Sequence, residues 1–341
     1  MFPRVALELL SYICGGISLT ANVFLIYIAY TVRVKGIGSY RTLLILMSIA
    51  NMIYSTIHMI VLPIFVLGRY YTFIPSVSFG DHNKPLSSLL CAAYYTVLMQ
   101  QVVVLACHFL HRYIYMCKSD WIVWFESWRG TLFLLAIDLV AVGPSAGILF
   151  GPYCAIIPEM EANVEAQALV KRKLGYDITQ IGYIAAIYYV RNADGSITIL
   201  VKNIFAKLVL VSTMVISLTF MVYAYVRIYR MTKIATKQRK LHMQILYALL
   251  VQATFPTIFC YVPQVITYLF PLLGLNNEIM GDIVSFLLPI YPLVDPFMPL
   301  VFISSYRNHI LNCFNIANTG LFRRYGPKST PIVSLNTTYE I

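Results

Sequence analysis

Three polar side chains interrupt the end of a long apolar run, "VVVLACHFLHRYIYMCK" at residues 102–118. His108 and His111 could ligate a metal within a membrane-oxidase histidine cluster, but such clusters need many histidines and this chain has 6. Packing and local hydrogen bonding are therefore the favoured roles of the two histidines. Arg112 follows them, and a guanidinium within hydrocarbon costs about 2.5 kcal/mol or more. By its chemistry alone, Arg112 is expected to snorkel to the interface as a membrane anchor.

Two carboxylates, Asp138 and Asp295, lie inside other apolar runs. Proton and ion relays use such groups, which keeps a transporter among the alternatives. Asp295 lies in "LLPIYPLVDPFMPL", where prolines break a helix and free backbone carbonyls for polar side chains or water. A conformational hinge is the favoured role for Asp295, and no role is assigned to Asp138.

A hydrolase-like string, "GPSAG" at residues 143–147, matches the pattern of a nucleophile elbow. That elbow needs a strand before the serine and a helix after it, whereas this string lies inside an apolar run. Small residues that let membrane helices pack closely are the better interpretation. The 7 cysteines lack metal-binding spacing. The sequence therefore predicts no enzyme, no cofactor and no metal site.

The composition indicates that lipid surrounds most of the chain. Of the 341 residues, 59% are hydrophobic and 11% are charged, whereas soluble domains carry about 25% charged residues. The net charge of +11 lies in short runs between apolar segments, which argues against nucleic-acid binding. A helix needs about 20 apolar residues to cross a bilayer. Seven runs qualify as spans: 6–32, 42–67, 88–115, 130–151, 204–229, 242–270 and 280–303.

The distribution of Lys and Arg orients these spans. The tail and the segments after spans 1, 3 and 5 hold sixteen of the 25 basic residues, and the short opposite segments hold Arg4, Arg69 and Lys84. Because basic loops stay in the cytoplasm, the N-terminus is predicted outside. The predicted fold class is an all-α seven-transmembrane helix bundle over residues 1–303, followed by an amphipathic helix and cytoplasmic tail at 304–341.

The long segment 152–203, between spans 4 and 5, is predicted to be an extracellular lid. Residues 158–175 carry acids early and bases late, which suits a helix dipole, and Gly175 is a typical helix stop. Strand-like residues around Asp194 and Gly195 predict a β-hairpin over 181–201. A helix plus a β-hairpin is therefore expected to cover the mouth of the bundle.

Several strings resemble one family in order along nearly the whole chain. They are "IGSYRTLL" (37–44), "HFLHRY" (108–113), "YIAAIYY" (183–189), "KNIF" (202–205), "PTIF" (256–259) and "YPLVDP" (291–296). Together they resemble the nematode chemosensory serpentine receptors of the Str superfamily, class r and its relative class J, among G-protein-coupled receptors. The resemblance implies a chemosensory (olfactory) receptor in the plasma membrane of a sensory neuron cilium. A small volatile or soluble organic ligand and a heterotrimeric G protein are the implied partners. A membrane transporter or ligand-gated channel is the alternative.

The resemblance also assigns a switch at the cytoplasmic end. The Arg112–Tyr113 pair would change partners when span 6 moves and the G protein docks. His111 stands where related receptors usually carry an acid, so it cannot act as a counter-ion, and a weak restraint on Arg112 is expected. Tyr291, Asp295 and Pro296 belong to the same switch.

Helical steps of three and four from Arg112 lead up span 3 to a candidate ligand pocket. The face so defined is apolar with phenol hydroxyls, which suits a small, weakly polar organic molecule. Ordinary helix packing is the alternative for any one residue. The candidates are Tyr94, Tyr95, Leu98 and Val102 in span 3, His58 in span 2, Tyr261, Gln264 and Tyr268 in span 6, and Ser285 and Phe286 in span 7.

Two cysteines outside the pocket are candidates for modification. Cys91 could form a disulfide with Cys154, since both are predicted on the oxidising side of the membrane. Residues 304–315 are predicted to form an amphipathic helix along the inner leaflet, with Tyr306 and Ile310 facing lipid. Cys313 beside them is a candidate for palmitoylation.

Overall fold

The computed structural model describes residues 4–32, 40–77, 83–125, 127–150, 161, 163–191, 194–234 and 239–313. Helices dominate: α1 is Arg4–Thr31, α2 Tyr40–Val61, α3 Lys84–Cys117, α4 Ile122–Phe125, α5 Trp128–Phe150, α6 Val164–Leu174 and α7 Val201–Ile234. The chain continues with α8 Arg239–Pro256, a π-helical segment Thr257–Tyr261, α9 Val262–Leu272, α10 Glu278–Leu287, α11 Tyr291–Val294, α12 Phe297–Phe302 and α13 Ser304–Cys313. The strands are β1 Val66–Leu67, β2 Tyr71–Pro75, β3 Tyr183–Ile187, β4 Tyr189–Arg191 and β5 Ile197–Ile199.

Within the described ranges, 5 helical stretches are long and apolar enough to cross a membrane. These are α1, α2, α3, α7 and the continuous stretch from α8 through α9. Helix α5 occupies the predicted fourth span. The predicted seventh span is divided among α10, α11 and α12, since Pro292, Pro296 and Pro299 cannot continue a regular hydrogen-bond ladder.

Helix α3 lies at the centre of the bundle, where it contacts α2, α5 and α7. The predicted inward stripe of α3 is confirmed, because Tyr94, Tyr95, Leu98, Val102 and Arg112 are each 0% exposed. The opposite pattern occurs on α7, where Phe205, Ile216 and Val222 are exposed as expected of a lipid-facing side.

A three-stranded antiparallel sheet, ordered β1-β2-β3, joins the α2–α3 connection to the α5–α7 connection. Leu62 turns the chain from α2 toward this sheet with a φ of 46°, a left-handed value that non-glycine residues rarely adopt. We call residues 62–77 together with 163–191 the lid. Its own apolar cluster includes Ile64, Phe73, Leu169 and Ile187.

The structure corrects one predicted pairing within 181–201. Within the predicted hairpin, the described residues that pair are those of β4 and β5, around the Asp194–Gly195 turn. The first predicted strand, β3, pairs instead with β2, which offers five buried partners that the local hairpin lacks. In the turn, Asp194 Oδ1 accepts hydrogen bonds from the amide and hydroxyl of Ser196, and these bonds lower the pKa of Asp194.

The lid helix α6 ends as its sequence predicts, and its first residue, Val164, lies inside the predicted range 158–175. The Asn163 side chain accepts from the amide of Ala166, and Gly175 ends the helix with a φ of 78°. At the C-terminal end, Lys173 Nζ lies 2.9 Å from Asp282 Oδ1, and Arg172 contacts Glu278 at 2.6 Å. These ion pairs tie the lid to the start of α10.

The short helix α13 is present, but one residue of its predicted lipid face points elsewhere. Tyr306 is 0% exposed and packs into the main core, because α13 lies against α12 and not in isolation on the membrane. Ile310 is partly buried against the same core, and Cys313 is exposed. Phe314, which belongs to the predicted helix, lies outside the described residues.

Gly182 permits the closest approach between the lid and α3. A Cβ at this position would lie 2.6 Å from the Ser88 amide nitrogen and 2.7 Å from the Lys84 carbonyl oxygen. We expect Gly182→Ala to destabilise the protein by about 1–3 kcal/mol, as overpacking does, and to lower the melting temperature of the purified protein in detergent. Gly16→Ala is the matched control, since no atom lies within 4 Å there. Equal melting temperatures for the two variants would contradict a tightly seated lid.

Candidate functional site

The guanidinium of Arg112 is buried at the predicted cytoplasmic end of α3. Its Nη2 donates a hydrogen bond to Nδ1 of His242 on α8, and its Cζ lies 5.1 Å from the centre of the Tyr115 ring. Among the described residues, Nε and Nη1 of Arg112 have no hydrogen-bond partner. A single hydrogen bond and one aromatic face therefore hold a buried cation between the third and sixth spans.

This contact gives Arg112 a partner that the sequence did not identify. His242 is buried at 7% exposure and accepts from Arg112, so a neutral imidazole lies beside the guanidinium. The weakness of the restraint on Arg112 stays a prediction. The ring of His111 lies 6.5 Å from that of Tyr40, on the α2 side of α3.

Two other members of the predicted switch, Tyr113 and Tyr291, make different contacts, as does His108 one turn above Arg112. His108 Nε2 donates to the carbonyl of Leu43 at 3.1 Å, which joins α3 to α2. Tyr113 is partly buried, and its ring lies 5.9 Å from that of Tyr223 on α7. Tyr291 donates from its hydroxyl to Oε1 of Gln101 at 3.4 Å.

Asp295 lies in a buried polar network between the first, second and sixth spans. Its Oδ2 accepts from Nδ2 of Asn51 at 2.7 Å, and its backbone carbonyl accepts from Gln252 at 3.4 Å. Asn51 also donates to Oδ1 of Asn22 at 3.4 Å. Pro296 follows at the break between α11 and α12, so Asp295 lies where the helix is interrupted.

A second polar contact fixes the same break to α1. Ser18 donates to the carbonyl of Pro292 at 2.9 Å, a group that a proline-broken helix leaves without an internal partner. Ser18 also lies 2.8 Å from the hydroxyl of Ser55 on α2. Side chains of neighbouring helices thus bond to the predicted seventh span where prolines interrupt its own backbone hydrogen bonds.

The predicted ligand residues form two hydrogen-bonded clusters in the upper bundle. The first contains Tyr54, His58 and Tyr94. The Tyr94 hydroxyl lies 3.1 Å from that of Tyr54 and 3.3 Å from Nδ1 of His58. Nε2 of His58 lies 3.2 Å from the hydroxyl of Ser11. This cluster joins α1, α2 and α3.

The second cluster joins α3, α7 and α9. Gln264 Nε2 donates to the Tyr95 hydroxyl at 2.6 Å and lies 3.5 Å from that of Tyr268. Lys207 Nζ lies 5.7 Å from the centre of the Tyr95 ring and 5.1 Å from that of Tyr268. Since Lys207 is only 8% exposed, the cluster places a buried ammonium beside two phenols and an amide.

The remaining predicted ligand residues serve packing or the lid. Leu98, Val102 and Tyr261 belong to the main apolar core. The hydroxyl of Ser285 accepts from the amide of Phe65 at 2.8 Å, so the lid already occupies it. Phe286 packs against the apolar cluster of the lid.

The predicted disulfide partners are not both described. Cys91 is a buried free thiol within α3, and Cys154 lies outside the described residues.

Sequence reasoning missed several residues of these sites, including His242, Asn51, Tyr54 and Lys207. His242 and Asn51 carried no local signal, because their partners Arg112 and Asp295 lie far away in sequence. Lys207 carried one, since it lies near the start of a predicted span, and a buried cation in a span usually has a function.

Comparison with known proteins gives the family. Residues 7–311 match the family described as serpentine type 7TM GPCR chemoreceptor Str. The chain is 27% identical over 309 residues to serpentine receptor class r-10 of Caenorhabditis elegans, covering 87% of this chain and 88% of that protein. It is 23% identical over 320 residues to serpentine receptor class J-38 of the same organism, covering 88% and 91%. A third relative, G-protein coupled receptor str-217, is 25% identical over 316 residues, with 87% of each chain covered.

The chain therefore belongs to the Str family of serpentine chemoreceptors, as its motifs predicted. It is a helical membrane protein of a receptor family and not of an enzyme family.

The Asn51–Asp295 hydrogen bond can be tested by a stability measurement. Asn51→Ala leaves a buried carboxylate oxygen without its donor, which we expect to cost about 1–3 kcal/mol and to lower the melting temperature. Thr56→Ala on the same helix is the control, since its hydroxyl is exposed and bonds only to Met52 of its own helix. A melting temperature of Asn51→Ala at or above that of the control would contradict the network.

Proposed function

We propose that this protein is a chemosensory G-protein-coupled receptor that binds a small organic molecule in the upper bundle and activates a heterotrimeric G protein. The observation that carries this proposal is the buried contact between Arg112 and His242. It joins the third and sixth spans at the end where the basic loops lie, and a single hydrogen bond can be broken and remade. Membership of the Str family supports the same function.

The proposed topology has seven spans with the N-terminus outside. Helix α5 forms the fourth span, and α10 to α12 form the seventh. In this arrangement the lid and the β4–β5 hairpin lie on the extracellular side, and α13 lies on the cytoplasmic side. The excess of Lys and Arg on the latter side supports this orientation. Residues 1–303 then form the receptor domain, residues 152–203 include the second part of the lid, and residues 304–341 form the tail.

The proposed ligand region centres on the cluster of Tyr95, Gln264, Tyr268 and Lys207. Phenol rings give apolar contact area, and an amide and an ammonium give directional hydrogen-bond donors. A small organic ligand that carries a carbonyl or carboxylate group fits these donors. Tyr94, His58, Leu98 and Val102 line the adjoining part of α2 and α3, and the hydroxyls of Tyr94 and Tyr54 can exchange partners within their cluster.

Signal transfer is proposed to run along α3 and the seventh span. Ligand contacts at Tyr95 lie on the same helical face as Arg112, and the proline breaks around Asp295 give the seventh span a hinge. Outward motion of α8 would separate His242 from Arg112 and expose a site for the G protein, with Tyr113 available as a new partner. The proposed location is the plasma membrane of a sensory neuron cilium, from the family's chemosensory character.

The function is tested by expressing the chain with a calcium or cyclic-nucleotide reporter and screening volatile and soluble odorants. We expect a response that requires a G protein and that Arg112→Ala abolishes at unchanged surface abundance. A current or uptake that persists without G protein would instead support the transporter or ligand-gated channel.

Substitutions at His242 test the restraint itself. A hydrogen bond to a charged group contributes about 1.5 kcal/mol, so we expect His242→Ala to raise a minor active population about tenfold. We expect His242→Glu to lower basal signalling below that of the wild type, because a carboxylate attracts the guanidinium more strongly than a neutral imidazole.

His309→Ala is the control, since this histidine lies on α13 and has no contact with Arg112 in the described structure. Basal signalling that is equal in His242→Ala and His242→Glu would show that His242 does not restrain the receptor.

A further inference from the structure

A cavity of about 180 Å³ lies outside the ligand region, between α2, α3 and α5. Ile49, Ile53 and Leu135 line it and are 40%, 47% and 40% exposed, so they belong to the lipid-facing surface of the bundle. The cavity therefore opens toward the bilayer and not toward the lid. A cavity of about 150 Å³ holds a benzene-sized ring, so this one holds a small ring or a short chain.

The inner wall of this cavity carries Asp138, whose role the receptor mechanism leaves unassigned. Asp138 is 4% exposed, and its Oδ2 accepts from Nε2 of Gln100 at 2.9 Å. Its Oδ1 has no hydrogen-bond partner among the described residues. A buried acceptor left in this state loses its hydration without recovering a hydrogen bond.

A second acceptor lines the same cavity. His108 is 1% exposed, and its Nε2 donates to the carbonyl of Leu43. With the ring proton on Nε2, Nδ1 carries a lone pair, and Nδ1 also has no partner within the described part of the chain. The cavity is thus lined by two residues that each carry a buried acceptor without a partner, Asp138 on α5 and His108 on α3. Gln100, Cys107 and Thr131 are its other polar lining residues, and the rest are apolar. A ligand with a hydrogen-bond donor would satisfy such an acceptor.

The depth of Asp138 restricts the source of that donor. Asp138 lies ten residues after Trp128, the first residue of α5, which is about 15 Å along a helix axis. The hydrocarbon core is about 30 Å thick, so the carboxyl group lies near its middle. A lipid headgroup does not reach this depth, and an ion does not cross the apolar opening. A small neutral molecule dissolved in the bilayer reaches it.

We propose that this cavity is a second binding site, for a small neutral alcohol or phenol that enters from the bilayer and donates its hydroxyl hydrogen to Oδ1 of Asp138. The site is separate from the proposed ligand region, whose residues lie on α3, α7 and α9. Binding would join α3 to α5 and α2 between about one and three helical turns above Arg112, which makes the site suited to modulate the switch. The binding itself does not depend on the proposed signalling function.

The test uses the purified full-length protein in lipid nanodiscs and two probes of equal heavy-atom count, cyclohexanol and methylcyclohexane. A ligand that binds the folded state raises the melting temperature. We expect saturating cyclohexanol to raise the melting temperature of the wild-type protein by at least about 2 °C more than methylcyclohexane does. Asp138→Leu should remove the difference between the probes, because it removes the acceptor and keeps an apolar wall.

Two further variants distinguish binding in the cavity from a folding defect and from a general effect of the alcohol on the bilayer. Val104→Phe places a ring in the cavity and leaves Asp138 intact, so it should also abolish the cyclohexanol shift if Asp138→Leu fails to fold. Leu139→Ala alters an adjacent lipid-facing residue that is 70% exposed and should retain the full shift. A shift equal for both probes in the wild type, or one that persists in Val104→Phe, would show that the alcohol acts on the bilayer only and would overturn the proposal.

Discussion

A buried guanidinium held by one neutral imidazole is the constraint on which the rest of this receptor depends. Removing Arg112 from water carries a large desolvation cost, and the structure offsets it with the His242 hydrogen bond and the face of Tyr115. An acidic partner would hold the cation more firmly. The neutral imidazole keeps the two helices together with a single hydrogen bond, which suits the proposed switch.

The position of Arg112 also determines which face of α3 is buried. Once the arginine points into the bundle, helical periodicity carries the same face upward through His108, Val102 and Leu98 to Tyr95. The polar residues on that face then need partners from neighbouring helices, because hydrocarbon offers none. Gln264 bonds to Tyr95, Tyr54 to Tyr94, and the Leu43 carbonyl accepts from His108. The proline breaks of the predicted seventh span add free carbonyls, one of which accepts from Ser18. Signal transfer is proposed to use these same contacts.

Much of this organisation could be predicted from the sequence. The apolar runs predicted the ends of α1, α3 and α7 to within five residues, and Gly175 marked the end of the lid helix. Helix α2 ends at Val61, six residues before the predicted end of span 2 at residue 67. The predictions that were wrong concerned contacts between residues distant in sequence. The strand of residues 183–187 has the composition of a hairpin strand, but β2, more than a hundred residues earlier, offers a longer buried edge. Tyr306 fits an interfacial helix by local pattern, yet packing against α12 decided its position.

The sites divide in the same way. The site residues on α3 could be predicted because helical periodicity places them on one face of a single helix. His242 and Asn51 lie on other helices, and only the three-dimensional structure shows that they contact Arg112 and Asp295. Lys207 was overlooked because a basic residue near the start of a span was taken as part of the loop, although two tyrosine rings enclose its ammonium group.

The most direct test measures the distance between the third and sixth spans at their proposed cytoplasmic ends. Lys118, which follows α3, and Lys240, near the start of α8, are exposed in this structure and can each carry a spin label. Double electron–electron resonance on protein lacking Cys117 and Cys313 measures the distance between the labels. A single narrow distribution in the otherwise native protein, and an added longer component in His242→Ala, is the result that the account predicts. Identical distributions in the two proteins would contradict it.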